Sequence, residues 1–333
     1  MNFIDNGENL SILIKKKTMD EKLSEVWNGD IVTDKNVYPF LVSVDLVNNP
    51  EGSINKHECG GTLIAPTWVL TGGHCVTVGD INPVQDASNV NIRYNVLDYG
   101  VDEGVSVPVK RVLRHPLYNT TGGTGLEIPN YDVGLIELEY PIPIPTVKLA
   151  SQSGSSDAFQ PGKKAVVAGW GLYKAFEVGP SPELRQSETE IMTNAAVRSS
   201  TAELSGKKLY NEYFDSSNML GGTPGLPPDY GKGFSPGDSG GPLLITDSNG
   251  SFTQIGTVSW LAYPGQEESP NIYAKVIDSE NRRWIDNIVF SDDSGYQWMY
   301  TVMLAMILLV SVLLLFYFIF RQRYTFRNPK KYD

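Results

Sequence analysis

The sequence predicts an all-β chain built as two similar units and followed by one transmembrane α-helix. Three observations predict this. Short β-branched runs recur from Ile31 onward, at 40–47, 61–64, 68–71, 90–96, 105–113, 133–138 and 164–169, each bounded by Gly, Pro, Asn or Asp. Helical periodicity is scarce over the same stretch, and many short strands with turn signals between them build barrels or sandwiches. The length to about residue 290 suits two such units. Residues 298–320 then form an uncharged, almost wholly apolar run.

Composition bounds the function. The chain has 333 residues, 41% hydrophobic and 20% charged, enough for a sizeable core. Its net charge is −11, while residues 321–333 carry five basic side chains (Arg321, Arg323, Arg327, Lys330, Lys331) against Asp333. The remainder is therefore strongly acidic, which argues against nucleic acid as a partner. Two cysteines, Cys59 and Cys75, do not make a disulfide-dense scaffold. They fit one structural pair in an oxidising compartment, or two buried thiols. No His/Cys/carboxylate cluster has ligand spacing, so neither metal nor cofactor is expected.

Residues 1–30 are polar and mixed in charge, with Ile12-Leu13-Ile14 as their longest apolar run. That is too short for a signal-peptide core, so the segment reads as a leader or propeptide.

The chemistry centres on residues 233–245, GFSPGDSGGPLLI. Ser239 sits among Gly237, Asp238, Gly240 and Gly241. Glycines let the chain turn sharply and let a substrate carbonyl approach neighbouring N–H groups, as an acyl-transfer nucleophile needs. A plain Gly/Ser/Asp turn before the apolar strand 242–245 would look the same on these residues alone. A serine needs a base, and the three histidines, His57, His74 and His115, all precede Ser239. The nucleophile elbow of α/β-hydrolases places its histidine after the serine and is excluded. A His, Asp, Ser order stays open.

Several segments in the right order then carry a resemblance. Cys59-Gly60-Gly61-Thr62-Leu63-Ile64 followed by Trp68-Val69-Leu70-Thr71-Gly72-Gly73-His74-Cys75 resembles the histidine segment of the trypsin-like (S1) serine proteases. Asn130-Tyr131-Asp132-Val133-Gly134-Leu135 resembles their aspartate segment, and Val166-Val167-Ala168-Gly169-Trp170-Gly171 the strand opening their second barrel. Gly237 to Pro242 resembles the serine segment, Val258-Ser259-Trp260 the strand that pairs with substrate, and residues 281–288 the terminal helix. The resemblance spans 31–290 and implies a two-barrel chymotrypsin-like fold with a C-terminal helix. Residues 291–297 would be a linker, 298–320 the membrane helix and 321–333 a basic tail.

The resemblance assigns roles. His74 takes the proton of Ser239 and Asp132 orients His74. The backbone N–H groups of Gly237 and Ser239 form the oxyanion hole, and Cys59 pairs with Cys75. His57 and His115 lack comparable context, and His115 reads as a surface or strand-end residue. Ser259 and Trp260 would bind substrate backbone. In this family a freed α-amino group pairs with the aspartate before the serine, here Asp238. Ile31-Val32 suits that terminus, although Thr33-Asp34 replaces two glycines and Asp30 replaces the basic residue expected before the cut. A trypsin-like activator is therefore not expected at this bond, which leaves cleavage after Asp30 by another activating protease or prior trimming. Gly233 falls at the pocket floor where trypsins carry Asp, while Leu261 and Asn271 stand at walls usually held by Gly. Small or medium apolar P1 residues are expected. Ser235 replaces a usual cysteine, which predicts a looser serine loop.

The 23 residues of 298–320 would span about 35 Å as a helix, enough for a hydrocarbon core. Tyr296, Trp298 and Tyr300 suit one interface and Tyr324 the other. Basic residues after the run and Asp292 and Asp293 before it place the tail in the cytoplasm and the protease domain outside. Membrane lipid is thus an expected partner beside protein or peptide substrates. Export without a visible signal peptide leads to the expectation that the native N-terminus lies upstream. Asn119-Thr120-Thr121 and Asn249-Gly250-Ser251 are glycosylation sequons. The leading expectation is a membrane-anchored serine endopeptidase. The alternatives are a catalytically silent homologue serving as an extracellular binding module, marked by the altered activation site, and an adhesion ectodomain on a single-pass anchor.

Overall fold

The computed structural model describes residues 29–47, 57–78, 84–101, 104–121, 127–150, 159–172, 181–204, 206–226, 231–277, 279–291, 302–303, 305–314 and 317. The chain divides into two units between Trp284 and Ile285.

The first half of the larger unit is a closed barrel of β1 (Leu41–Leu46), β2 (His57–Ala65), β3 (Trp68–Thr71), β4 (Val90–Tyr94), β5 (Val105–Arg114) and β6 (Gly134–Leu138). Its order is β1-β2-β3-β6-β5-β4, closing on β1. All pairs are antiparallel, with Val42 opposite Gly61, Leu70 opposite Leu135, Val112 opposite Ile136 and Val44 opposite Ile92. Alternate residues point inward, so Val44, Leu63, Val69, Ile92 and Ile136 form one apolar core. Closure removes the exposed edges that a flat sheet would offer for aggregation.

The second half is a sheet containing β7 (Lys164–Gly169), β8 (Arg185–Glu190), β9 (Met219–Gly222), β10 (Pro242–Thr246), β11 (Phe252–Trp260) and β12 (Asn271–Lys275). Its order is β8-β7-β10-β11-β12-β9, with Asp30–Ile31 added outside β8 and Lys148–Leu149 parallel to β11. The edges meet: Met192 N–H donates to Gly221 C=O and Thr223 N–H to Glu190 C=O, both at 2.9 Å. The sheet therefore curls around Val167, Leu243, Ile255, Val258 and Tyr273. Short helices α1 (Asn194–Arg198) and α2 (Leu209–Tyr213) belong to a further cluster with Trp260 and Ile272. Thr193 caps α1 by accepting from Ala196 N–H. Helix α3 (Glu280–Ile285) occupies the expected terminal position.

The serine loop is clamped between the two halves. Gly60 N–H donates to Ser239 C=O at 2.7 Å, and Thr71 Oγ1 donates to Gly60 C=O at 2.8 Å. Gly240 has φ +75°, and a Cβ there would lie 2.2 Å from Thr71 Oγ1 and 2.6 Å from Gly60 O. Only glycine fits both that conformation and that approach.

In the smaller unit, residues 302–303, 305–314 and 317 are helical. No helix among the described residues is long and apolar enough to cross a membrane, so the expected span over 298–320 lacks structural support. Residues 298–301, 304, 315–316 and 318–320 of that span lie outside the described set, as do 1–28 and 321–333.

Candidate active site

Three strand ends deliver the site. Strand β3 runs through Thr71 into a single 3-10 turn, His74–Val76, which carries His74 to the rim of the first barrel. Cys75 in that turn is disulfide-bonded to Cys59 on β2, fixing the turn to the barrel wall. Asp132 lies just before β6. Its predecessor Tyr131 has φ +50°, an uncommon conformation for a bulky residue. The ring of His115 stacks on Tyr131 at 5.1 Å and 10°, with Trp284 edge-on to the same imidazole. His115 does follow a strand end, but it is buried rather than exposed, and burial lowers its pKa. It is an aromatic shelf that supports the turn before Asp132.

The Asp132 carboxylate is buried and fully engaged. Oδ1 accepts from His74 N–H at 2.8 Å, and Oδ2 lies 2.8 Å from His74 Nδ1. Ser259 Oγ donates to Oδ2 at 2.5 Å. Burial would raise the Asp132 pKa, but the His74 charge and these hydrogen bonds outweigh it and hold the carboxyl below its ordinary value. For His74, burial acts to lower the pKa, and the Asp132 carboxylate overrides it and raises the value above 6.5. Ser259 was expected only to offer its backbone to substrate. Its side chain reaches Asp132 because the β11–β12 register shifts between Val258 and Trp260, and such a bulge re-aims the side chain within it. No feature of the segment Val258-Ser259-Trp260 read by itself distinguishes the two roles.

Ser239 and His74 line one cleft, together with Gly237, Pro236, Glu58 and the Cys59–Cys75 bridge. Ser239 Oγ makes no hydrogen bond to His74; His74 Nε2 faces Cys75 Sγ at 3.7 Å. Unliganded sites commonly hold these groups apart until substrate packs between them. Gly237 has φ +100° and Gly171 Cα against its vacant Cβ direction. Among the described residues neither Gly237 N–H nor Ser239 N–H has a hydrogen-bond partner, so both remain available as donors. Cys59, His74 and Cys75 bring three potential ligand atoms within 4.8 Å of one another. The sulfurs are bonded to each other, so this cluster offers no thiolate to a metal.

Asp238 points away from the cleft. It accepts from Gly171 N–H at 2.8 Å and Ser235 N–H at 2.9 Å, and burial raises its pKa to about 6. Among the described residues no cation pairs with it. Ile31 is strand-paired opposite Arg185, and Val32 N–H donates to Leu184 C=O at 2.9 Å. Ser235, in the place of the expected cysteine, donates its hydroxyl to Leu172 C=O at 2.6 Å, so a hydrogen bond ties the loop where a disulfide was missed.

Gly233 and Asn271 do come together. A Cβ on Gly233 would stand 2.4 Å from Asn271 Nδ2, so the amide occupies the space over the glycine. Asn271 is buried and donates to Thr223 C=O at 3.3 Å. Leu261 is half-buried against the second core. Trp260 stacks on Tyr210 at 5.1 Å, and the Tyr210 hydroxyl bonds Pro270 C=O and Ala262 N–H. Asn119 and Asn249 are both exposed. His57, which the sequence left without a role, is buried with Nε2 2.8 Å from Gly237 C=O.

Comparison with known proteins agrees with this geometry. The family described as Trypsin matches residues 26–285. The chain is 30% identical over 254 residues to a protein named Trypsin from Simulium vittatum, covering 74% of this chain and 88% of that one. It is 29% identical over 231 residues to Trypsin from Phaedon cochleariae, covering 69% and 78%. It is 27% identical over 243 residues to Transmembrane protease serine 9 from Rattus norvegicus, but those residues span only 20% of that longer protein. A barrel-built β fold, a buried carboxylate paired to the rim histidine and a family match over most of the chain converge: this protein belongs to the trypsin family and is a serine endopeptidase.

Proposed function

We propose that the chain hydrolyses peptide bonds through an acyl-enzyme on Ser239. His74 takes the Ser239 proton and returns it to the leaving amine, and Asp132 holds His74 in the Nδ1–H tautomer and stabilises its cation. The N–H groups of Gly237 and Ser239 bind the tetrahedral oxyanion. The observation that carries this reading is the cleft that brings His74, paired with buried Asp132, beside Ser239 and two unpartnered N–H donors. The alternative of a silent binding module is not favoured, because nothing in that constellation is substituted.

Pocket chemistry supports small or medium apolar P1 side chains. The floor lacks a carboxylate for Lys or Arg, and the Asn271 amide fills depth that a large side chain would need. Activation is proposed to proceed by N-terminal cleavage, the new α-amine pairing with Asp238. Ile31 begins in a strand and would have to leave β8 to reach Asp238. The family match starts at residue 26, within the run Val26-Trp27-Asn28-Gly29. An amine at Val26 has four residues of reach before that strand, roughly 14 Å of extended chain. This favours a terminus at Val26 over one at Ile31.

Anchoring through residues 298–320 is likewise proposed, with the protease domain outside, the tail cytoplasmic and Asn119 and Asn249 open to glycosylation. Its support is the uncharged 23-residue run and the exposure of Met306, Ile307, Leu308, Leu309, Leu313 and Leu314 around the helical stretch. The name of the rat relative is consistent with it.

Three outcomes are expected. The value of kcat/KM should rise with pH through a group titrating above 6.5, since His74 must be neutral to act as base and Asp132 keeps it charged to higher pH. Asp132→Asn should move that limb to lower pH and cut kcat by about 10⁴-fold, measured on a peptide substrate; an unmoved limb would contradict the assignment. Asn271→Gly should deepen the pocket and raise the Phe-to-Ala preference at P1 by about tenfold or more in a cleavage panel. A strong Arg or Lys preference in the unaltered enzyme would refute this pocket. The full chain should stay with membranes through an alkaline carbonate wash, and removal of residues 291–333 should release it; release of the full chain would rule out the anchor.

A further inference from the structure

The cleft that holds Ser239 and His74 has a wall that the proton transfers do not use. Beside the serine loop and His74, it is lined by Leu46, Glu58, the Cys59–Cys75 bridge, Thr77 and Gln85. Gly233, Leu261 and Asn271 are not among the described residues that line it, so this wall lies apart from the P1 pocket.

The chemistry decides which half of a substrate meets that wall. The acyl half places its P1 side chain over Gly233 and Asn271 and its backbone along the end of β11. His74 returns a proton to the leaving amine, so that amine must stand at the imidazole. The peptide beyond it therefore departs over the disulfide and the start of β2.

Strand β2 explains how Glu58 comes to stand there. Side chains alternate along a strand, so Glu58, Gly60 and Thr62 share one face. Thr62 Oγ1 donates to Gln254 Oε1 at 2.7 Å, and a Cβ on Gly60 would meet Gly241 Cα at 3.0 Å. The second half of the protein covers both of those positions. Glu58 lies about 7 Å further along the same face. It runs past that cover and is exposed in the cleft.

The Glu58 charge is unmatched there. Among the described residues no lysine or arginine pairs with its carboxylate, and His74 is the one other ionisable side chain lining the cleft. Arg114 stands behind the wall, where it donates to Thr77 Oγ1 at 3.0 Å and lies over the Tyr118 ring. Burial acts to lower the His74 pKa, Asp132 raises it, and the Glu58 charge adds to that rise. The carboxylate is thus within electrostatic reach of the imidazole at which the leaving amine forms.

We propose that Glu58 is a specificity-determining residue for the leaving half of the substrate, selecting Lys or Arg at one of the two positions that follow the scissile bond. This rests on the catalytic roles given to His74 and Ser239 above. A Lys or Arg stem can lie on Leu46 and the disulfide while its charged head meets the carboxylate. An Arg head can pair with it through two parallel hydrogen bonds. The floor of the P1 pocket offers no such partner, so the enzyme cuts before basic residues rather than after them.

The test uses internally quenched peptides that share one acyl half and carry Arg, Gln or Glu in turn at the first and second positions after the scissile bond. The processed full chain should cleave the Arg peptide with a kcat/KM about fivefold above Gln and about tenfold or more above Glu at one of these positions, and rising salt should shrink both ratios. Glu58→Gln should bring Arg and Gln within about twofold of each other, and Glu58→Lys should reverse the order in favour of Glu. Each readout is a ratio within one variant, so a general loss of activity cancels. Equal rates for Arg and Gln at both positions in the parent chain, or an Arg preference that survives Glu58→Gln, would overturn the inference and leave the catalytic reading standing. Hydrolysis that Ser239→Ala does not abolish would overturn the catalytic reading itself and this inference with it.

Discussion

The Asp132 carboxylate is the constraint around which the site is built. A buried charge costs several kcal/mol unless hydrogen bonds replace its hydration. Here the replacement comes from both halves of the protein: two bonds from His74 in the first barrel and one from Ser259 in the second. The same bonds that make the charge tolerable fix the imidazole and the strand end beside the cleft. Catalytic geometry and the junction of the two halves are thus one interaction. The strained turn at Tyr131, and the His115 and Trp284 rings around it, aim the carboxylate at that junction.

The serine loop meets the same logic from the other side. It carries few apolar contacts of its own and is held by backbone bonds from Gly60, Leu172 and Gly171, with glycines wherever two main chains approach closely. Such a loop can present its N–H groups to a ligand because its carbonyls are occupied elsewhere. The absence of a second disulfide is offset locally by Ser235, whose hydroxyl reaches Leu172 C=O.

Apolar strands were legible in the sequence and polar ones were not. The strand at Lys164–Gly169 was read at its observed bounds, and those at Val90–Tyr94, Val105–Arg114 and Gly134–Leu138 within two residues. Strand β8, Arg-Gln-Ser-Glu-Thr-Glu, was missed because its inward positions are Arg185, Ser187 and Thr189, polar groups that carry no hydrophobic period. The start of β2 was missed for a related reason, since His57 is a polar residue that carries no hydrophobic period, although Trp170 and Tyr99 pack on its ring. Motif order singled out His74, Asp132 and Ser239 from the residues that flank each of them, and the structure pairs His74 with Asp132 and sets Ser239 in the same cleft as His74. It could not locate Ser259 as a partner of Asp132, 127 positions away, or Ser43 and Asp45 as partners of His57. Spacing within the first barrel does carry one usable signal: the Ser-x-Asp pair Ser43 and Asp45 puts two buried polar groups on the strand face opposite the core-facing Val42 and Val44.

Active-site labelling addresses the central claim most directly. The unprocessed chain and chains beginning at Val26 and at Ile31 would be treated with a fluorophosphonate, with Ser239→Ala as blank, and the modified peptide mapped by mass spectrometry. The account predicts a single adduct on Ser239, strongest in the chain beginning at Val26. Folded protein that acquires no adduct on Ser239 in any of the three forms would contradict it.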